Sequence, residues 1–192
     1  MKPIPLFLLF STLLLPSAAA SKPSAPPKDL IRSSCINDCY PSLCLRTLSS
    51  YSGPINTPRD LAQAAVKVSL ARARKASSYL TNNVTVALWR SGRERAALTD
   101  CVEQMAESVD ELSRTLSELK HLRGETFEFQ MSNARTWVSA ALTYEDTCLD
   151  GFEGVEKKVK SDVKKKITNV AKVTSNALYM IRKLDESGGV NR

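Results

Sequence analysis

Five cysteines and one histidine are the scarce reactive residues of this chain. Cys35, Cys39 and Cys44 share one short stretch, while Cys101 and Cys148 stand far from it and from each other. A structural zinc site needs four closely paired soft ligands, and His121, distant in sequence from the cysteines, completes none. The same lone histidine leaves nothing to build a Ser-His-Asp arrangement from. Carboxylates abound, but at helical spacing they fall on solvated faces, and no cleft for a bare acid–base pair is evident. Phosphate-binding glycine loops, dinucleotide fingerprints, EF-hands and zinc motifs are all missing. No catalytic residue, metal ligand or cofactor is therefore assigned, and a binding or inhibitory module is the better reading. Asn83-Val84-Thr85 is an N-glycosylation sequon near the far end of a helix, so Asn83 is a candidate modification site.

The cysteines point to an oxidising compartment, and the first twenty residues agree. Lys2 supplies a charged start, an apolar run extends from Leu6 to Leu15, and Ala18 and Ala20 are the small residues before a cut after Ala20. That run is too short to cross a bilayer. Residues 1–20 read as a secretory signal peptide, residues 21–28 as a proline-rich linker and residues 188–192 as a flexible tail.

Between them the pattern is helical throughout. Two short helices, broken at Tyr40-Pro41, make an N-terminal hairpin over residues 29–50. Four long amphipathic helices fill residues 57–187. The first opens with Thr57, Pro58 and Asp60, a cap followed by proline and an acid three residues on, and carries the stripe Val66, Leu70, Ala73, Ser77, Leu80, Val84 and Leu88. Ser91 and Glu94 form a capping box for the second. Its inner line is Leu98, Cys101, Met105, Ser108, Leu112, Thr115 and Leu119, with Glu111 among the outer acids. The third begins between Phe127 and Ser132, with Met131, Ala134, Val138, Ala141, either Tyr144 or Glu145, and Cys148 inside. The fourth runs from Val155 to Glu186 along Val155, Val159, Val163, Ile167, Val170, Thr174, Ala177, Ile181 and Leu184, with lysines from Lys157 to Lys172 over much of the rest. Four such stripes joined by short connections bury best against one another. The expected fold is all-α: an antiparallel four-helix bundle with an N-terminal helical hairpin, stapled by disulfides.

Five cysteines allow at most two internal bridges. A hairpin brings Cys35 near Cys44. Cys101 and Cys148 lie on the inner lines of sequential helices, and their bridge would constrain the unfolded chain by roughly 4 kcal/mol. Cys39 is left over as a free thiol, with an intermolecular bridge or a partnership with Cys44 as the alternatives. The chain holds 27 basic and 20 acidic residues, a formal net charge of +7. Such a surplus suits an anionic polysaccharide or an acidic protein surface, and also plain solubility. Neither a nucleic-acid motif nor a spanning segment is present.

Three landmarks carry a resemblance. They are Cys35 with Tyr40-Pro41-Ser42-Leu43-Cys44, then Ala97-Leu98-Thr99-Asp100-Cys101 with Ser108-Val109-Asp110-Glu111-Leu112, and then Trp137-Val138-Ser139-Ala140-Ala141 leading to Thr147-Cys148-Leu149-Asp150-Gly151-Phe152. In this order they resemble the plant invertase and pectin methylesterase inhibitor family over nearly the whole mature chain. The resemblance implies a four-helix bundle with a helical hairpin and bridges Cys35–Cys44 and Cys101–Cys148. It implies no catalytic activity, and secretion to the plant cell wall and apoplast. The Pro-Lys-Phe motif frequent in invertase inhibitors is missing, so the expected partner is pectin methylesterase, with acid invertase as the alternative. A weak contact with acidic pectin is a further expectation. Inhibition would be steric, with an outer face laid over the enzyme's substrate cleft. On this chain that face is expected to use Glu107, Asp110 and Arg114 of the second long helix and Thr143, Asp146 and Thr147 of the third. A non-inhibitory structural or polysaccharide-binding protein using the lysines of the fourth helix is the rival. Asp38 stands where the family commonly has threonine, and Cys39 is an extra cysteine.

Overall fold

The structure, a computed structural model, describes residues 27–86, 92–155 and 157–189. The signal peptide and most of the linker read from the sequence lie outside the described residues. So do Leu88, Ser91, residues 190–192 and the side chains of Val84, Lys157, Lys158 and Val159. The helices are α1 (Pro27–Cys35), α2 (Pro41–Ser49), α3 (Pro58–Val86), α4 (Gly92–Lys120), α5 (Phe127–Asp150) and α6 (Lys157–Glu186), with a 3-10 turn (Gly124–Thr126) before α5. α1 starts inside the stretch read as linker, because Pro27 is tolerated in a first turn where no N–H is needed. Among the described residues there is no strand.

Local chemistry sets these boundaries. Thr57 and Asp60 form a reciprocal cap on α3: the Asp60 N–H donates to Thr57 Oγ1 and the Thr57 N–H donates to Asp60 Oδ2, both at 3.1 Å. Aspartate thus closes a box more often completed by glutamate. The other end of α4 borrows donors from α3. Arg59 Nε and Gln63 Nε2 each reach the Leu119 carbonyl at 3.0 Å, and Arg59 Nη2 reaches that of Lys120 at 2.8 Å. Orphan carbonyls at a helix end are thereby satisfied from the neighbouring antiparallel helix.

α3, α4, α5 and α6 form a ring in which each helix packs on the next and α6 returns to α3. The expected inner line of α4 is buried at every position from Leu98 to Leu119. On α5 the choice at the third turn falls to Glu145, which is fully buried, and Tyr144 is only half-buried. Two expectations need correction. Ser77 of α3 is half-buried while Ser69 and Ala76 are buried in its place. Glu111 belongs to a helix flank and not to the outer face, its Oε2 enclosed without a partner. Both shifts follow from where the neighbouring helix actually lies, which a helical wheel does not specify.

The hairpin of α1 and α2 lies across α3 and α6 at one end of the bundle, where Cys44, Thr47 and Leu48 meet Ala65, Val68, Val173 and Asn176. Cys35–Cys44 joins its two helices with Cα atoms 5.6 Å apart, and Cys101–Cys148 joins α4 to α5 at 4.4 Å. Cys39 is free and exposed. Asp38 has a specific task in the turn: its Oδ1 accepts from the Cys39 N–H at 2.6 Å. The Asn176 amide of α6, oriented to satisfy both sides, donates to the same oxygen at 2.9 Å and accepts from the Cys44 N–H at 3.2 Å. Burial raises the Asp38 carboxyl pKa, against the lowering effect of the Cys39 and Tyr40 N–H groups.

The cross-link between α4 and α5 spans 47 positions of sequence. Replacing both Cys101 and Cys148 by alanine should lower the unfolding free energy by about 4 kcal/mol, read from urea curves of the non-reduced proteins. A loss below about 1 kcal/mol would show that the bridge adds little to a bundle already fixed by packing.

Candidate functional site

The bundle offers three places where polar residues gather: its centre, the outer face of α4 and α5, and the face of α3 and α6. At the centre, one side chain from each long helix joins a single network. Ser108 Oγ of α4 donates to Glu145 Oε1 at 2.8 Å, Thr174 Oγ1 of α6 donates to the same oxygen at 2.9 Å, and Ser69 Oγ of α3 lies 2.6 Å from Thr174 Oγ1. With Thr174 donating to Glu145, Ser69 supplies the proton of that last bond. Glu145 Oε2 is buried with no partner.

Among the described residues no cation pairs with this carboxyl, and desolvation dominates. Burial pushes the Glu145 pKa up to about 7, the Ser108 and Thr174 bonds oppose the rise, and the Asp146 charge adds to it. A perturbed carboxyl often marks catalysis, but this one is sealed from solvent and faces hydroxyls and apolar chains. Its role is structural. His121 is equally local: Nδ1 donates to the Ser117 carbonyl, 2.7 Å away, at the end of α4. Among the described residues no group of histidine, cysteine and carboxylate side chains is arranged to hold a metal.

The six positions expected to meet a partner are all exposed. Glu107, Asp110 and Arg114 share one strip of α4, where Arg114 Nη1 pairs with Glu111 at 3.2 Å. On α5, Thr143 and Thr147 share a strip and bond back to their own helix at 3.1 and 2.8 Å. The antiparallel register set by Cys101–Cys148 and Ser108–Glu145 brings Glu107 to about the level of Thr143. Arg114 lies some 10 Å further along, at 1.5 Å per residue, away from Thr147. Asp146 is turned to the other side of α5, where it lines a groove of about 210 Å³ with Tyr40 and Lys172. Partial burial, and then the Asp150 charge, raise its pKa. The six residues are therefore one face only in part.

Sequence reasoning missed Gln130. Its Oε1 accepts from the Arg123 N–H at 2.7 Å and from Thr126 Oγ1 at 3.1 Å, and its Nε2 donates to the His121 carbonyl at 3.0 Å, fixing the turn from α4 to α5. Nothing in its spacing distinguishes it from a surface glutamine. Asn83 is half-buried in the last turns of α3, with Nδ2 donating to the Tyr79 carbonyl at 2.7 Å.

Comparisons with known proteins cover nearly all of this architecture. The family model described as plant invertase/pectin methylesterase inhibitor matches residues 29–180. Pectinesterase inhibitor 3 of Arabidopsis thaliana is 56% identical over 169 residues, covering 84% of this chain and 82% of its own. A 21 kDa protein of Daucus carota is 42% identical over 180 residues, covering 91% and 92%. The crystal structure of a mutant form of a pectin methylesterase inhibitor from Arabidopsis superposes with a TM-score of 0.64 at 22% identity, covering 82% of this chain and 97% of that one.

The matched span contains the whole central network, which makes stability depend on pH. The folded-state pKa of Glu145 is raised from 4.5 to about 7, so the folded protein holds its proton more tightly than the unfolded chain. The resulting stability is complete below about pH 4.5 and is lost as pH rises towards 7, by about 3 kcal/mol at most. Glu145→Gln should be close to the parent at pH 4 and more stable than it at pH 8. Urea midpoints of both proteins across that range check this. A parent-minus-variant difference that does not change with pH would sink the assignment.

Proposed function

Because this chain belongs to the plant invertase/pectin methylesterase inhibitor family, we propose that it is a secreted inhibitor of pectin methylesterase, acting in the plant cell wall. The observation that carries this reading is the extended identity to Pectinesterase inhibitor 3, spread over more than four fifths of both chains. The chain itself is a binding protein and not an enzyme. Its polar centre is sealed, and an exposed helical face is a surface that covers another molecule. The sequon at Asn83 and the leader over residues 1–20 fit a protein made for export. Among the described residues no helix is long and apolar enough to cross a membrane.

Inhibition on this reading is exclusion. The bundle is held rigid by the α4–α5 disulfide and the central hydrogen bonds, so little order remains to be gained on binding. Its α4 and α5 face, presenting Glu107, Asp110, Arg114, Thr143 and Thr147, lies across the mouth of the enzyme's cleft and blocks the polymer. Asp146 borders that face from the α6 side. Carboxylates at the rim make association depend on pH and salt more than they set its strength. Acid invertase is the second candidate partner, and no particular feature of the face favours it.

Titrating the purified mature protein into pectin methylesterase should abolish activity on methyl-esterified homogalacturonan near one equivalent, and acid invertase should be unaffected. Loss of invertase activity without loss of esterase activity would overturn the reading. Within it, Asp110→Lys combined with Thr143→Arg should weaken inhibition by at least about tenfold, the effect of one strong interface residue, while the thermal midpoint stays within a few degrees.

A further inference from the structure

The hairpin covers only one end of the α3 and α6 face. Beyond it the face opens into a groove of about 880 Å³ between the later turns of α3 and the early turns of α6. On the α3 side it is lined from Arg72 to Asn82, about 15 Å of helix. Cations enter it from both helices: Arg72 and Lys75 from α3, Lys165 and Lys166 from α6. Among the described residues the one carboxylate in the lining is Asp162, and neither it nor any other carboxylate lies within ion-pair distance of the four cations.

A lysine run on one helix is ordinarily a solvated face, but these groups are arranged. Arg72 is half-buried and its Nη1 donates to Asn169 Oδ1, which holds the guanidinium in the groove wall. Lys166 Nζ sits 4.3 Å from the centre of the Tyr79 ring, a cation–π contact that orders a side chain otherwise free to move. Arg46 of α2 extends the positive field from the hairpin side, and burial followed by this second guanidinium lowers the Arg72 pKa. Like charges converging from separate helices, positioned by neutral partners and left unpaired, repel one another in the free protein. An anion laid along the groove would relieve that repulsion. Asn82 and an aromatic ring beside the cations suit hydroxyl groups and the apolar face of a sugar.

We propose that this groove binds a short run of an acidic polysaccharide, a polyuronate chain whose free carboxylates meet Arg72, Lys75, Lys165 and Lys166. In the ring of helices the groove lies on the opposite side from the α4 and α5 face. The protein can therefore be held on the polymer while that face stays open. The choice of a uronate as the anion rests on the cell-wall reading given above, but the binding itself needs no enzyme.

The test is calorimetric titration of polyuronate oligomers, de-esterified or fully methyl-esterified, into the mature protein at about 0.1 M salt and a pH where the carboxyls are ionised. The parent should bind the de-esterified oligomer, with affinity falling as salt rises. Lys75→Gln/Lys165→Gln/Lys166→Gln changes only exposed side chains and should weaken binding at least tenfold. A control with the same loss of charge away from the groove, Lys28→Gln/Lys120→Gln/Arg123→Gln, should change it less than threefold. Equal weakening by both variants would reduce the interaction to net charge and overturn the site. So would equal binding of the esterified oligomer, or no binding by the parent. Inhibition of pectin methylesterase, measured on the same samples, should be unchanged by the groove variant. Failure of inhibition in the parent would count against the enzyme partner and leave the groove result standing.

Discussion

A carboxyl group sealed at the centre of a helical bundle constrains everything around it. Glu145 is buried, and among the described residues no cation pairs with it, so its hydrogen bonds come from the surrounding helices. Ser108 and Thr174 do so directly, and Ser69 supports Thr174. Sliding any one long helix by a turn would break part of this network. An apolar centre of equal volume would tolerate many registers, whereas hydrogen bonds of fixed geometry tolerate few. Protonation of the carboxyl in mildly acidic surroundings keeps the cost of burying it low.

The cysteine bridge acts on the same register from outside. Cys101 and Cys148 sit on the inner lines of α4 and α5, about two turns along α4 from the Ser108–Glu145 bond. One covalent and one hydrogen-bonded link along a single seam leave α4 and α5 no freedom to slide or splay. That rigidity suits a surface whose work is to cover another molecule. Around the hairpin turn Ile36, Cys39 and Tyr40 are exposed.

The hairpin also divides the surface. It occupies one end of the α3 and α6 face, tied down by Asp38 and Asn176, and leaves the other end as a cationic groove. Its packing is on α3 and α6, and Tyr40 reaches the border of the α4 and α5 face at the groove it lines with Asp146. Two regions of different chemistry thus lie on opposite sides of a bundle only two helices thick. The departure from the family pattern at Asp38 has a place in this scheme, since its carboxylate caps the turn and bonds across to α6.

Periodicity gave the long helices and most of their inner lines, because apolar spacing of three and four residues leaves one buried face whatever the partner, though Ser77 and Val155 are only half-buried. The α4 line was legible to the residue. The capping box of α3 was legible too, since its donors and acceptors are neighbours in the chain. Cys35 and Cys44 were close enough in sequence for a hairpin to suggest their bridge. The resemblance, more than the spacing, selected the full pairing. What spacing could not decide was which neighbour each flank would meet. Glu111 looked like an outer acid, and Asp146 looked grouped with Thr143 and Thr147. Glu145 was legible as an inner position but not as the point where four helices join, because its partners lie 29 to 37 positions away. The groove of α3 and α6 was legible only as a lysine-rich stretch. Chain order fixes which face of a helix avoids water, whereas the packing of four helices decides which polar groups meet on the faces that remain.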